Sequence, residues 1–514
     1  MFKLSKKNSK TKKSKKSRQK SKKKTLVNCI QKLDNGLKYF IKEGPSDNGT
    51  HIIIMVKTGS INEGKFGGLS HILEHLLFTG IKEYKNSQVL VQQLERLGCV
   101  INAFTHYETT CYYLTCHHSK LTKVMDIFCK MIKETQLDNY RLQNEKKIVH
   151  NEIGYRKDKI KEYCNKLIKK QLFKNTVFES VVIGTPLSLK DIEKVHLHSY
   201  LVTRYKPQNM VVGIVGKLGN NSESDIIKLI ETYFGQKNLM SHYEFDKTLY
   251  NYKKYTKFIN YFNKINSNID KKVEKTKDKI NWGYHSIVFP SHLTYVNMIF
   301  ECNGLCENSK SDIDKLELQD FLNDYLDSGM SGKLFDIIRE EHFLSYNLNC
   351  YILKYSQFGL FVISFSILND LHLIKKSLTV LSELIRNLKN KLLDQKTIAF
   401  IKLKNENRKK TRNSNYLNIG LKRAEFILFN NIKTKHFKTN YIISTSDEKN
   451  KTKKKKFKTT KKNKDSEDKL NLLKNEDINK YANELFNIKK MALILISSKT
   501  ITKKNINYNQ TVNF

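Results

Sequence analysis

The sequence predicts an α+β fold class built as two related domains, each a mostly antiparallel sheet packed with helices. Three observations carry this expectation. Short apolar runs bounded by turn residues alternate with stretches of helical period. The 514 residues exceed one typical hydrophobic core. The order of strands and helices restarts near residue 284, after a stretch rich in Lys, Asn and Tyr.

Taken in order, residues 1–26 are a disordered basic tail, since the first 24 hold thirteen Lys or Arg and no acid. A first domain is expected over 27–237. It opens with strands at 36–41 and 51–56, the second closed by Gly59-Ser60, and with a helix entered through Gly67-Gly68. A helix over 86–97 ends at Gly98, and strands follow at 100–104 and 110–115. Leu121, Val124, Met125, Phe128, Met131 and Ile132 fall at helical spacing, and one long helix is expected over 139–172. Residues 210–216, MVVGIVG, read as a buried strand, and 222–234 as a helix. Weak periodicity makes 238–283 an interdomain linker. The second domain, 284–514, is expected to contain strands at 295–301, within 348–367 and at 491–496, with helices at 314–327, 370–393 and 395–430. A lysine-rich insert at about 444–470 interrupts it as a disordered loop.

Residues 1–24 and 449–464 hold thirteen and ten cations with no acid, 23 of the +43 net charges, so the rest of the chain is far less basic than the whole. Neither tract interleaves aromatics with its cations, Phe457 being the one exception. That argues against sequence readout of a nucleic acid and leaves nonspecific contact with polyanions through the lysine tails. Nine cysteines with no CxxC pair exclude a disulfide framework and a thiolate metal site, and favour a reducing compartment. No run approaches the ~18 apolar residues of a membrane span. The N-terminal tract has no apolar segment behind it to make a signal peptide, and no amphipathic face to make a transit peptide. The expected location is intracellular, the cytoplasm first and mitochondria second.

The stretch 68–78, GLSHILEHLLF, places two histidines and a glutamate among leucines. On a helix, His71 and His75 lie one turn apart on one face, with Glu74 beside them. Burying three unpartnered polar groups costs about 2–7 kcal/mol each, and a metal ion bearing a water would satisfy all three. A His pair at i, i+4 is a common helical grip on zinc, and the order His-x-x-Glu-His is the inverzincin one. Glu145 and Glu152 lie seven residues apart on the long helix, within about 20° of one face. With Ile148 and Val149 between them they share a buried stripe. One could ligate the metal while the other supports a histidine.

Five blocks in order, GSINEGKFGGLSHILEHLLFTG, LGCVINAFTHYETTCYY, NEKKIVHNEI, RYKPQNMVVGIVG and SGMSGKLFDIIREEHFLSY, resemble the pitrilysin/insulinase family of zinc peptidases across about 30–500. The resemblance implies one Zn2+ per chain held by His71, His75 and Glu152, with Glu74 as general base. Glu152 fits the distal ligand by its spacing from His75, and Glu145 supports the site or, failing that, replaces Glu152 as ligand. Asn102, Ala103, Phe104 and Thr105 match the edge strand on which substrate backbone pairs. Arg339 and Tyr346 match a pair that contacts substrate near the scissile bond. Ser188 stands where the family has glycine, away from the metal.

The implied activity is zinc-dependent endopeptidase hydrolysis of peptides or unfolded polypeptides, with a non-catalytic structural subunit as the alternative. Larger members close a chamber with four such domains, so two would form half of a clamshell. Because the zinc motif and the Arg339/Tyr346 pair share one chain, the implied assembly is a homodimer, with a heterodimer of related subunits as the alternative.

Overall fold

The computed structural model describes residues 30–44, 49–237, 239–240, 251–306, 310–413, 415–430 and 474–514. The basic tail (1–26) and the lysine-rich insert (444–470) lie outside the described residues. Six strands form the first sheet: β1 (Ile30–Lys32), β2 (Lys38–Glu43), β3 (Thr50–Val56), β4 (Val100–Thr105), β5 (Thr110–Cys116) and β6 (Met210–Gly216). Their order across it is β1-β2-β6-β3-β5-β4. The second sheet holds β7 (Gly283–Val288), β8 (Leu293–Cys302), β9 (Leu348–Lys354), β10 (Gly359–Leu368) and β11 (Met491–Ser497), in the order β7-β11-β8-β10-β9.

With β1 set aside, the two orders correspond strand by strand. β2–β6 and β7–β11 are the parallel pairs, and every other pairing is antiparallel. The second half repeats the topology of the first, as the element order predicts.

Alternation along each strand supplies apolar side chains to both faces of each sheet. In β3, Ile52, Ile54 and Val56 enter the core of the first half, whereas Ile53 and Met55 face the other way, against Ala424, Ile427 and Leu428. Those three belong to the helix Tyr416–Phe429 of the second half. The reverse also holds. Cys164, Ile168 and Leu172, on the first-half helix Ile160–Leu172, pack against Ile299, Val362 and Ile494 of the second sheet. Each half therefore lends a helix to the outer face of the other's sheet.

This exchange explains two departures from expectation. The helix expected over 139–172 is two helices, Asn139–Asp158 and Ile160–Leu172, broken where Lys159 takes ψ 95°. The first piece packs on the histidine-bearing helix, and the second turns away to cover the other sheet. The segment 395–430 likewise divides into Gln395–Asn413 and Tyr416–Phe429.

The expected linker, 238–283, contains a 23-residue helix, Tyr252–Glu274, and the first residue of β7. Phe262 is buried in the first core, and Ile269 and Val273 join the cluster shared by both halves. Tyr255, Phe262 and Ile269 recur every seven residues, a narrow seam that a short window scores weakly. Among the described residues no helix is long and apolar enough to cross a membrane.

Candidate metal centre

The helix Leu69–Leu76 carries His71, Glu74 and His75 in only eight residues. That is too short to persist alone, so it depends on burial of Leu69, Ile72, Leu73 and Leu76. Its entry is fixed from three sides. Gly68 takes φ +91°, and a Cβ there would lie 2.9 Å from the Ile183 carbonyl oxygen, so the chain can approach residues 183–184 only as glycine. The Ser188 hydroxyl donates to the Gly67 carbonyl at 2.6 Å. The buried Glu63 carboxylate accepts from Gly68 N–H (2.7 Å) and Ser70 N–H (2.6 Å), filling donors that the first turn leaves open. Burial pushes the Glu63 carboxyl up to about 8 against these donors. Tyr200 Oη, 2.8 Å from Ser70 Oγ and 2.7 Å from Thr58 Oγ1, ties the helix to the end of β3.

Glu152 reaches the pair from the helix Asn139–Asp158. Its Oε2 lies 3.8 Å from His71 Nε2 and 3.6 Å from His75 Nε2. One ligand atom from each of the three residues lies within 4.8 Å of the others. These separations are too long for hydrogen bonds and near those a shared ion imposes. Tetrahedral zinc with ligands about 2.1 Å away sets its donors roughly 3.4 Å apart. The donor set therefore fits zinc: two imidazole nitrogens and one carboxylate oxygen, with a coordination position left over.

The surrounding groups orient these donors. His75 Nδ1 is 3.2 Å from Glu145 Oε2, which favours the Nδ1–H tautomer and leaves the Nε2 lone pair facing Glu152. Burial would lower the His75 pKa, and the Glu145, Glu74 and Glu152 carboxylates together outweigh it, so the pKa is raised. His71 has no such support, and burial, with His75 beside it, pushes it down to about 4. The Glu74 carboxyl is raised by burial, although the Thr105 hydroxyl donates to its Oε2 and pulls the other way. Glu145 and Glu152 share a helix face as expected, but the stripe between them is only half buried. Val149 is enclosed, whereas Ile148 is 49% exposed.

Asn102, Ala103, Phe104 and Thr105 lie on β4, an edge strand paired on one side with Tyr113, Tyr112, Cys111 and Thr110. The helix with the histidines packs beside that strand. Arg339 and Tyr346 come together, and among the described residues no hydrogen bond, ion pair or ring contact joins them to this cluster. The Arg339 guanidinium lies 4.5 Å from the centroids of both Phe335 and Tyr346, and the Tyr346 side chain is largely exposed.

Three contributors were not anticipated. Glu63 caps the motif helix, and its only signal is an acid shortly before Gly67-Gly68. Thr105 was expected to bind substrate, and it also holds Glu74. Arg156 donates from Nε (2.9 Å) and Nη2 (2.6 Å) to Glu152 Oε1, a pairing readable from the i, i+4 spacing.

Residues 39–185 match the family model described as insulinase (peptidase family M16), and residues 191–404 match the one described as peptidase M16 inactive domain. The histidine motif lies in the first region. An uncharacterized zinc protease of Bacillus subtilis, YmxG, is 27% identical over 202 residues, covering 39% of this chain and 48% of that one. The mitochondrial-processing peptidase subunit beta of Mus musculus is 27% identical over 220 residues, covering 42% of this chain and 43% of that one. Each match thus spans about half the length of these relatives. In fold, a protease from Helicobacter pylori superposes with TM-score 0.66 at 16% identity, covering 91% of this chain and 98% of that chain. The periplasmic protease PqqL of Escherichia coli gives 0.67 at 13% identity, covering 94% of this chain and 50% of that chain.

Proposed function

The chain belongs to the insulinase (M16) family of peptidases, and from that premise we propose that it is a zinc-dependent endopeptidase acting on peptides or unfolded polypeptides. The observation that carries this reading is the convergence of His71 Nε2, His75 Nε2 and Glu152 Oε2 beside the half-buried Glu74.

His71, His75 and Glu152 would hold one Zn2+. When bound, the ion brings the pKa of a coordinated water toward neutrality and polarises a carbonyl. Glu74 takes the water's proton on its carboxylate and returns it to the leaving amine. Thr105 occupies Glu74 Oε2, which leaves Oε1 for that proton. Glu145 keeps His75 in the tautomer whose Nε2 can ligate. Asn102 to Thr105, on the open edge of β4, pair with the extended backbone of the substrate and lay it alongside Glu74.

Arg339 and Tyr346 complete the site from a second copy of this chain, in a symmetric dimer whose two clamshell halves enclose the substrate. The guanidinium and the phenol donate to the oxygen on which negative charge develops. The experiment is direct. Purified protein should contain near-stoichiometric zinc and cleave an unfolded polypeptide, lose cleavage to a chelator and regain it with added Zn2+. Zinc-loaded protein that cleaves no peptide library would overturn the reading.

A further inference from the structure

The two topologically equivalent edge hairpins meet where the halves join. His106–Thr109 links β4 to β5, and Tyr355–Phe358 links β9 to β10. Each turn closes with the same bond, His106 N–H to the Thr109 carbonyl at 2.7 Å and Tyr355 N–H to the Phe358 carbonyl at 2.9 Å. Across the junction, the Glu108 carboxylate accepts from the Ser356 backbone N–H at 2.8 Å and from the Ser356 hydroxyl, and both residues are buried. The Tyr107 ring lies 5.9 Å from that of Tyr355 and 5.4 Å from that of Phe178.

A carboxylate enclosed among aromatics is tolerated only with its partners in place, so these two donors fix where the first turn sits. Three residues before Glu108, Thr105 holds Glu74 Oε2. The chain from Ser356 to Glu74 thus runs through one carboxylate, one tight turn and one hydroxyl.

We propose that Glu108 and Ser356 are positioning residues, through which the second half holds the β4–β5 turn so that Thr105 aims the Glu74 carboxylate and β4 keeps its place beside it. The second half, which lacks the histidine motif, then contributes to the reaction by fixing the base of the first. This rests on the peptidase reading, but one arm of its test does not.

The test uses full-length zinc-loaded protein carrying S356A, which removes only the hydroxyl donor, and E108A with its conservative counterpart E108Q. Steady-state kinetics on a fluorogenic peptide should show kcat lowered on the order of tenfold or more by S356A and E108A. KM, to which the β4 edge contributes, should rise less than kcat falls, zinc content should stay as in the wild type, and E108Q should recover much of the loss. The double variant T105V/S356A should lose little beyond T105V alone, because both act through one contact. Fully additive losses, or an unchanged kcat in S356A, would overturn the proposal.

Amide hydrogen exchange over 100–106 is the independent arm, and it should quicken in S356A. Unchanged exchange there overturns the coupling, even if the protein proves to have no peptidase activity. Should E108A fail to fold, S356A carries both arms alone.

Discussion

Arg156 grips one oxygen of Glu152 and leaves the other to the histidines. Its Nε and Nη2 both reach Oε1, at 2.9 and 2.6 Å, while Oε2 faces His71 and His75. As a half-exposed helix pair this contact would contribute only about 0.3–0.5 kcal/mol to stability. Its larger effect is to fix the ligand carboxylate in a one-oxygen orientation. Arg156→Ala should weaken zinc binding on the order of tenfold in chelator competition, and Arg156→Gln, which keeps a donor, should recover part of it. Equal zinc affinity in all three proteins would make the pair an ordinary surface contact.

Glu63 gives a pH dependence of defined sign. Its folded pKa is raised from 4.5 to about 8, chiefly by burial. An acid so raised favours the fold in its protonated form. Its contribution is complete below pH 4.5 and is lost as pH rises through about 8. The melting temperature of the wild type relative to Glu63→Gln should therefore fall across that window. A difference that is flat with pH would show that Glu63 is ionised in the fold.

The exchanged helices can be tested at Gly420. A Cβ there would lie 2.4 Å from Ile53 Cδ1 and 2.6 Å from Val215 Cγ2, on the sheet of the other half. Gly420→Ala gains helix propensity but overpacks this contact, and should destabilise by about 1–3 kcal/mol in denaturant unfolding. A stabilised variant would mean that the helix does not seat on the first sheet.

Much of this architecture was legible in the sequence, and the exceptions have a common physical origin. Short strands such as Met210–Gly216 were readable because both faces are apolar, and the motif helix because its polar residues stand out among leucines. The breaks at Lys159 and near residue 414 were not, because they are set by which sheet each following helix covers. At Lys159 no local turn residue announces that long-range packing fact, whereas at the second break Asn415, which caps the following helix, was an available signal.

At the site, His71, His75, Glu145 and Glu152 could be placed by spacing along two helices. Glu108 could not, since it meets Ser356 only in the folded chain, across 248 residues of sequence, whereas Glu63 lies five and seven residues before its partners and had only its position ahead of the glycines to mark it.

Assembly has its own test. Arg339 and Tyr346 stack on each other, and in the proposed dimer each such pair serves the other subunit. Glu74→Gln and Tyr346→Phe should each be inactive. Mixing them under conditions of subunit exchange should restore activity toward a quarter to a half of wild type, because one site per mixed dimer is intact. A mixture that exchanges subunits and stays inactive would place the whole site within one chain.

The most direct measurement compares zinc content and peptide hydrolysis in Glu74→Gln, His75→Ala and the wild type. With His71, His75 and Glu152 as ligands and Glu74 as base, Glu74→Gln keeps near-stoichiometric zinc and loses nearly all turnover. His75→Ala loses the metal and the activity together. Normal turnover by zinc-loaded Glu74→Gln, or full zinc occupancy in His75→Ala, would contradict the account.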